Sequence, residues 1–333
     1  MNLIPSKPGT RGVLLIALKV LFSVALMGFL FARIPLSSVA DSLAHADPAW
    51  LVAAFLMLVA SNVLGSWQWD QLLAAVGIEI PFWKVCAYYH VGLFFNNFLP
   101  ANIGGDLARI ADASRYHTTP ATAISTVLMD RVVGTVALAG LALVTTFPAI
   151  DRFHLRLAYL ALVGFFALSV TLLWVVFHPR LLPTLEGLLA RIGLGGLKPH
   201  LDDLAARLAD FRDQRGLMAR VLGVALVVQV MRIGVHVLVA RALGLHVPVA
   251  YFFLFVPLLA VIISFPISLN GIGLREGAGV LLFGLVGVGR APAFAMQFTT
   301  YLVAVSVSLI GGLVFLARTP RRRAEAKQRR RDP

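Results

Sequence analysis

The side chains that could do chemistry in this sequence are charged and amide groups set among apolar residues. Asp130 and Arg131 are adjacent within an apolar run that is long enough to be a membrane helix. A charge inside such a segment is costly, so it is a candidate for function by default. Because an arginine binds phosphate oxygens through two parallel hydrogen bonds, this pattern predicts a binding site for a lipid headgroup.

Two Gly-rich segments carry further candidates in a matching order. Leu99-Pro100 is followed by Gly104-Gly105-Asp106 and Arg109, and Phe265-Pro266 is followed by Gly271-Ile272-Gly273 and Arg275-Glu276. Unpaired backbone N–H groups at such breaks favour an anion. Interrupted segments at matching positions of two halves indicate a transporter site near the middle of the membrane. The predicted hairpin tips are marked by Pro100, Gly104, Gly105, Pro266, Gly271 and Gly273.

Four asparagines beside these breaks could bridge sugar and phosphate oxygens. Capping the broken helices is an equally good interpretation of their short amide side chains. Together with the charged residues they complete the predicted headgroup site, which consists of Asn96, Asn97, Asn102, Asp106, Arg109, Asp130, Arg131, Asn270, Arg275 and Glu276.

The same charges allow two other interpretations. Adjacent helical residues point about 100° apart, so Asp130 and Arg131 should find partners elsewhere rather than pair side by side. The resulting pairs could form a structural ion-pair network that holds the hairpins. Alternatively, a carboxylate beside an arginine could be a proton site that couples transport to the proton gradient. The available partners are Arg109 and Arg275 for Asp130, and Asp106 and Glu276 for Arg131.

The composition identifies the elements that must position these residues as membrane helices. The 333 residues are 59% hydrophobic and only 14% charged, with a mean hydropathy of +0.85. Soluble domains are about 45–50% apolar and about 25% charged. The net charge of +13 does not indicate a nucleic-acid partner, because the apolar content is too high and eight basic residues lie between 318 and 333.

Six apolar stretches approach or exceed the roughly 20 residues that a spanning helix needs. They are 12–31, 49–67, 121–148, 156–177, 219–243 and 293–317, and two interrupted stretches cover 82–108 and 250–290. Basic loops stay on the cytoplasmic side, which places the loop 179–218 and the tail there. The number of membrane crossings is then consistent only if residues 82–108 enter and leave the membrane from the cytoplasmic side. Residues 250–290 must likewise enter and leave it from the outside.

The predicted fold class is therefore all-α. It is a polytopic helical bundle of about six spanning helices with two re-entrant hairpins in an inverted-repeat-like arrangement. Residues 1–318 form the membrane domain, and 319–333 form a disordered basic tail. We expect the inner (cytoplasmic) membrane as the location, with both termini in the cytoplasm.

Several other sites are not expected. Cys86 is the single cysteine, and the eight histidines show no metal-binding spacing, so no metal site is predicted. The segment Gly271-Ile272-Gly273 has Glu276 in place of the third glycine of a dinucleotide fingerprint, so no cofactor is expected. On the 219–243 helix, Gln229, Arg232 and His236 share one face. They could line a cavity, but hydrogen bonding between helices is the favoured interpretation.

Three motifs resemble the signatures of the lysylphosphatidylglycerol synthase transmembrane (flippase-like) family. They are Phe95 to Pro100 with Gly104-Gly105-Asp106 and Arg109, then Asp130-Arg131 with Gly134, and then Pro266 to Glu276. The resemblance covers nearly the whole chain and implies a protein that moves or handles lipids. Some members carry a fused soluble transferase domain. Because about 16 residues follow the last helix, no such domain is expected here, and the chain is not predicted to be an enzyme.

The predicted function is translocation of an amphipathic lipid or lipid-linked intermediate between leaflets. Two alternatives stay open: an intramembrane lipid-modifying transferase with a carboxylate base, and an accessory subunit of a lipid-modifying pathway such as hopanoid or aminoacyl-lipid synthesis. The expected partners are membrane lipids with an anionic or phosphate-containing headgroup and, for the accessory role, a lipid-modifying enzyme.

Overall fold

The part of the chain that the structure describes is helical. The computed structural model describes residues 21, 24–25, 27–30, 36–98, 104–116, 118–151, 153, 156–177, 208, 210–211, 214–264, 268 and 271–329. Within these ranges it contains no strand. In chain order the helices are α1 (Leu36–Ala44), α2 (Pro48–Ala75), α3 (Phe82–Phe98), α4 (Gly104–Ala113), α5 (Pro120–Thr146) with a following 3₁₀ turn (Phe147–Ala149), α6 (Arg156–Phe177), α7 (Arg215–Ala242), α8 (Val249–Ser264), α9 (Leu274–Gly284) and α10 (Arg290–Arg329).

Four of the described helices are long and apolar enough to cross a membrane. They are α2, α5 with its 3₁₀ turn, α7 and the part of α10 up to Arg318. They coincide with four of the six predicted spans. The predicted span 156–177 forms α6, whose described apolar part is shorter, at Arg156–Thr171. The predicted span 12–31 lies largely outside the described residues, and its described positions are helical.

Two spanning helices begin at residues whose side chains suit a helix N-terminus. Asp47 precedes Pro48 and accepts a hydrogen bond from the Ala49 backbone N–H at 2.8 Å. Thr119 precedes Pro120 and accepts one from the Thr122 N–H at 3.2 Å. A short polar side chain followed by proline satisfies an otherwise free N–H and presets the first turn. These caps fix where α2 and α5 start.

Helices α3 and α4 pack together, and so do α8 and α9, which gives two helix pairs at the places where hairpins were predicted. The first pair continues to Ala113 rather than ending at 108. The second pair ends at Gly284, because α10 already begins at Arg290. The predicted tip residues Pro100 and Pro266 and the predicted headgroup-site residues Asn102 and Asn270 lie outside the described residues.

The largest apolar core is formed mainly by α7, α8 and α9, with further buried residues from α2, α5, α6 and α10. Phe283 of α9 packs against Phe252 and Phe255 of α8, with ring centroids 5.3 Å apart in both pairs. All three rings are almost fully buried. This aromatic contact joins the two helices of the second pair and holds α9 against α8.

The end of the chain differs from the prediction of a disordered tail. Helix α10 runs on to Arg329 and includes most of 319–333. The segment 324–328 reads Ala-Glu-Ala-Lys-Gln, and these residues are strong helix formers. Extending an existing helix avoids the cost of a new nucleus, which the composition-based prediction did not consider.

Candidate functional site

Arg109 of α4 and Asp130 of α5 form a buried ion pair. Nη2 of Arg109 donates to Oδ2 of Asp130 at 2.9 Å, and both side chains are less than 10% exposed. The second carboxylate oxygen of Asp130 accepts a hydrogen bond from Nε2 of Gln68 at 2.8 Å. Of the two partners that the sequence left open for Asp130, the structure therefore brings Arg109 to it.

Two aromatic rings enclose the Arg109 guanidinium. Its Cζ atom lies 4.2 Å from the ring centroid of Trp69 and 4.8 Å from that of Tyr89. The indole N–H of Trp69 donates to Thr126 at 3.2 Å, which ties this wall to α5. A cation between two π faces is stabilised without water, so the site suits a permanently buried charge. This is the geometry that the structural ion-pair interpretation requires.

The neighbouring pair, Arg131 with Asp106, is much more open. Nη2 of Arg131 donates to Oδ1 of Asp106 at 2.7 Å, and Nε donates to Oδ2 at 3.0 Å. The Arg131 side chain is nevertheless 50% exposed. A fork that binds one carboxylate through two donors keeps its remaining N–H groups for another acceptor. Asp106 thus orients Arg131 without using up its hydrogen-bonding capacity.

The start of α4 is held against α3 by close backbone contact. The backbone N–H of Gly105 donates to Oδ1 of Asn96 at 2.9 Å, so Asn96 caps the break, as one interpretation of the asparagines expected. A Cβ atom at Gly105 would collide with the carbonyl oxygen of Gly92 and with the Asn96 side chain. The glycine is therefore required for the approach that places Asp106 and Arg109 beside α5.

The start of α9 is built differently. The Glu276 carboxylate accepts a hydrogen bond from the backbone N–H of Gly273 at 2.7 Å and is 1% exposed. Gly273 has φ +81° and Gly271 has φ +77°, values that favour glycine. The Glu276 side chain thus reaches back to the backbone N–H of the residue before its helix, which is one half of a capping box. Glu276 therefore fixes the helix start and does not line the cavity described next.

A cavity of about 510 Å³ lies between α2, α5, α7, α8 and α10, with α3 and α9 contributing one residue each. Arg275 of α9 reaches it, and its Cζ atom lies 4.7 Å from the ring centroid of Tyr301. Asp130 and Arg131 of α5 also line the cavity. The charged and polar lining consists of Gln68, Tyr89, Asp130, Arg131, Thr135, Gln229, Arg232, His236, Ser264, Arg275, Thr300 and Tyr301.

The predicted site residues thus divide into three groups. Asp130, Arg131 and Arg275 line the cavity. Asn96, Asp106, Arg109 and Glu276 do not line it, and they bind the backbone or the charges that position the lining residues. Asn97 lies half-buried on α3, and Asn102 and Asn270 lie outside the described residues.

Sequence reasoning missed the residues that surround Arg109 and ranked one wall of the cavity too low. A single sequence carries no signal for Trp69 and Tyr89, since an aromatic residue in an apolar helix looks like ordinary core. It carries none for Gln68 either. Gln229, Arg232 and His236 all line the cavity, and Gln229 also donates to the Gly134 carbonyl at 3.3 Å. Their spacing of three and four gave the right face. In the described part of the chain, no group of three or more His, Cys, Asp or Glu could hold a metal ion.

Residues 16–312 match the family described as the lysylphosphatidylglycerol synthase TM region. The chain belongs to this family. The match includes both helix pairs and every residue that lines the cavity. Together with the long apolar helices, it makes this lysylphosphatidylglycerol synthase TM region protein a multi-pass, lipid-related membrane protein.

The chain is also similar to a UPF0104 membrane protein of Methanocaldococcus jannaschii. The two are 28% identical over 128 residues, which cover 38% of this chain and 37% of the relative. Because the match spans little more than a third of the relative's length, it supports the membrane class and nothing finer.

Proposed function

We propose that this protein carries an amphipathic lipid with a phosphate-containing headgroup between the two leaflets of the inner membrane. The single observation that supports this most strongly is the charge of the cavity. Three arginines line it, against one aspartate that is already paired with Arg109. Fixed positive charge in an apolar bundle suits a ligand that brings its own anion.

The position of the cavity also favours a carrier. Its walls come from helices of both halves of the chain, with Arg131 contributed by α5 and Arg275 by α9. A headgroup held there would be shared by two parts that can move relative to each other, as alternating access requires. Apolar helices that surround the cavity would leave the acyl chains in lipid.

The detailed topology belongs to the same proposal. Six spans and two re-entrant pairs, with both termini in the cytoplasm, would place the two Gly-rich tips at the middle of the membrane from opposite sides. Irregular backbone survives at that depth only where protein or a water-filled cavity covers it.

Single-cysteine labelling tests this topology. With Cys86 replaced by serine, cysteines at positions 75 and 115 should react only with reagent on the cytoplasmic side. Cysteines at 151 and 246 should react only from outside. If 75 and 115 report opposite faces, the α3–α4 pair spans the membrane and the two-hairpin arrangement is wrong.

The transferase alternative is less well supported by the geometry. A general base must reach the proton that it removes, so a catalytic carboxylate has to line the cavity. Of the three candidate carboxylates, Asp130 lines the cavity and is bound to Gln68 and Arg109, whereas Asp106 and Glu276 do not line it: Asp106 is held by Arg131, and Glu276 caps a helix. Each carboxylate already has a structural partner, so the carrier function is the better conclusion.

A reconstituted transport assay tests the proposal. Purified protein in phosphatidylcholine vesicles should move a fluorescent phosphatidylglycerol analogue from the inner to the outer leaflet, where a membrane-impermeant reductant bleaches it. The matching phosphatidylcholine analogue should move more slowly, since its headgroup carries a compensating cation. Folded, inserted protein that moves neither analogue would contradict the proposal, and chemically altered lipid in the same vesicles would favour a transferase.

A further inference from the structure

Arg232 is a charge deep in a membrane helix. It lies on α7, about 5 Å from the midpoint of the 28-residue helix at 1.5 Å per residue. Its side chain is half-buried and lines the cavity. A charge at this depth is costly unless an opposite charge or several hydrogen bonds compensate it.

Within the described part of the chain, Arg232 has neither compensation. Arg109 pairs with Asp130, Arg131 with Asp106, and Arg318 with Asp112, each at 3.1 Å or less. Arg232 makes no ion pair or hydrogen bond with a described residue. The carboxylate of Asp130, which lines the same cavity, already accepts two hydrogen bonds, one of them from Arg109.

His236 lies one helical turn beyond Arg232 and lines the same wall. Its Nδ1 atom is buried, and no described residue hydrogen-bonds to it. Buried polar atoms without partners are rare, and each one needs an explanation such as a bound ion or water. Two neighbouring groups on one helix face therefore lack a partner among the described residues.

We infer that Arg232 and His236 form the phosphate-binding subsite of the cavity and are completed by the phosphodiester of a lipid headgroup. This rests on the proposed function and adds to it the two residues that bind the phosphate. One phosphodiester brings one negative charge, which compensates the one positive charge of Arg232. Its two free oxygens suit a guanidinium fork.

The test measures binding by the full chain in a neutral detergent. The probes are dioctanoylphosphatidylglycerol, dioctanoylglycerol with the same chains and no phosphate, and inorganic phosphate. The variant is Arg232→Gln, and the matched control is Arg220→Gln, an exposed arginine on the same helix that lies outside the cavity and contacts Gln71.

We expect dioctanoylphosphatidylglycerol to raise the melting temperature of the wild type and of Arg220→Gln, with little effect from dioctanoylglycerol. Arg232→Gln should bind it at least tenfold more weakly, because a charge-assisted hydrogen bond is lost. Without lipid, Arg232→Gln should melt no lower than the wild type, since it removes an uncompensated charge. If Arg232 instead stabilised the fold, Arg232→Gln would melt at a lower temperature than the wild type and would bind the lipid equally well.

Equal binding of dioctanoylphosphatidylglycerol by Arg232→Gln and the wild type would overturn the inference. If inorganic phosphate binds as tightly as the lipid, the ligand is a free anion and the lipid assignment is wrong. If lipid binding depends on Arg232 but the wild type moves no lipid between leaflets, the subsite stands and the transport proposal fails.

Discussion

The two helix pairs share a sequence pattern but use its arginine in different ways. In the α3–α4 pair, Arg109 is buried between Trp69 and Tyr89 and bound to Asp130. In the α8–α9 pair, Arg275 reaches the cavity beside Tyr301. The first arginine holds helices together, whereas the second faces the space in which we place the headgroup.

The difference comes from the third helix that each pair meets. Helix α5 presents a carboxylate to the first pair, and Gln68 of α2 supports it. Helix α10 presents an aromatic ring to the second. Equal motifs therefore become unequal sites when their neighbours differ, and a repeat in sequence does not by itself imply a repeat in function.

The largest effect should come from breaking the buried pair. Arg109→Ala leaves Asp130 charged and buried, which costs about 3–5 kcal/mol in known cases. We expect a large fall in the melting temperature of the detergent-solubilised protein. Arg156→Ala removes an exposed pair with Asp151 at 3.0 Å and should change the free energy of unfolding by at most about 1 kcal/mol. Equal melting of the two variants would mean that Arg109 has no structural role.

The next effect concerns the close approach of α3 and α4. Gly105→Ala places a methyl group against the Gly92 carbonyl, and such overpacking typically costs about 1–3 kcal/mol. Gly223→Ala is the matched control, because no atom lies within 4 Å of its added Cβ. Thermal melting should fall for Gly105→Ala and hold or rise for Gly223→Ala. The contact is not as tight as described if both variants melt alike.

A smaller effect separates the two arginines directly. Arg275→Lys keeps the charge but loses the planar fork, so transport of the phosphatidylglycerol analogue should fall more than tenfold while melting stays within a few degrees. Arg109→Lys should instead lower the melting temperature, since lysine cannot fill the space between the two rings. The comparison fails if lysine at 275 destabilises the protein and preserves transport.

The smallest effect should come from the cap of α9. Glu276→Ala removes the acceptor for the Gly273 N–H, and losing a helix cap costs about 0.5–2 kcal/mol. Glu276→Gln keeps an acceptor and should recover most of that loss in a melting experiment. If Glu276→Gln is as damaging as Glu276→Ala, the negative charge matters and the carboxylate does more than cap.

The sequence was sufficient to predict the helical membrane class. A lipid bilayer requires long apolar helices, and the basic residues of such a chain concentrate in its loops, so both features can be read from the sequence. It also predicted that Asp130 and Arg131 pair with different residues, since adjacent helical positions diverge. It could not choose between Arg109 and Arg275 for Asp130, because that depends on which helix lies against α5. Nor could it show that the Glu276 carboxylate binds the backbone N–H of Gly273. This local contact depends on the backbone conformation at the Gly-rich break.

The central claim is that the cavity holds a lipid headgroup, and site-directed photolabelling tests it most directly. A phosphatidylglycerol analogue with a photoreactive group on its headgroup should label residues that line the cavity on α5, α7 and α8, and unlabelled phosphatidylglycerol should compete. An analogue with the group at the end of an acyl chain should instead label exposed apolar residues such as Leu157 and Leu160 of α6. Headgroup labelling confined to the outer surface, with none in the cavity, would contradict the account.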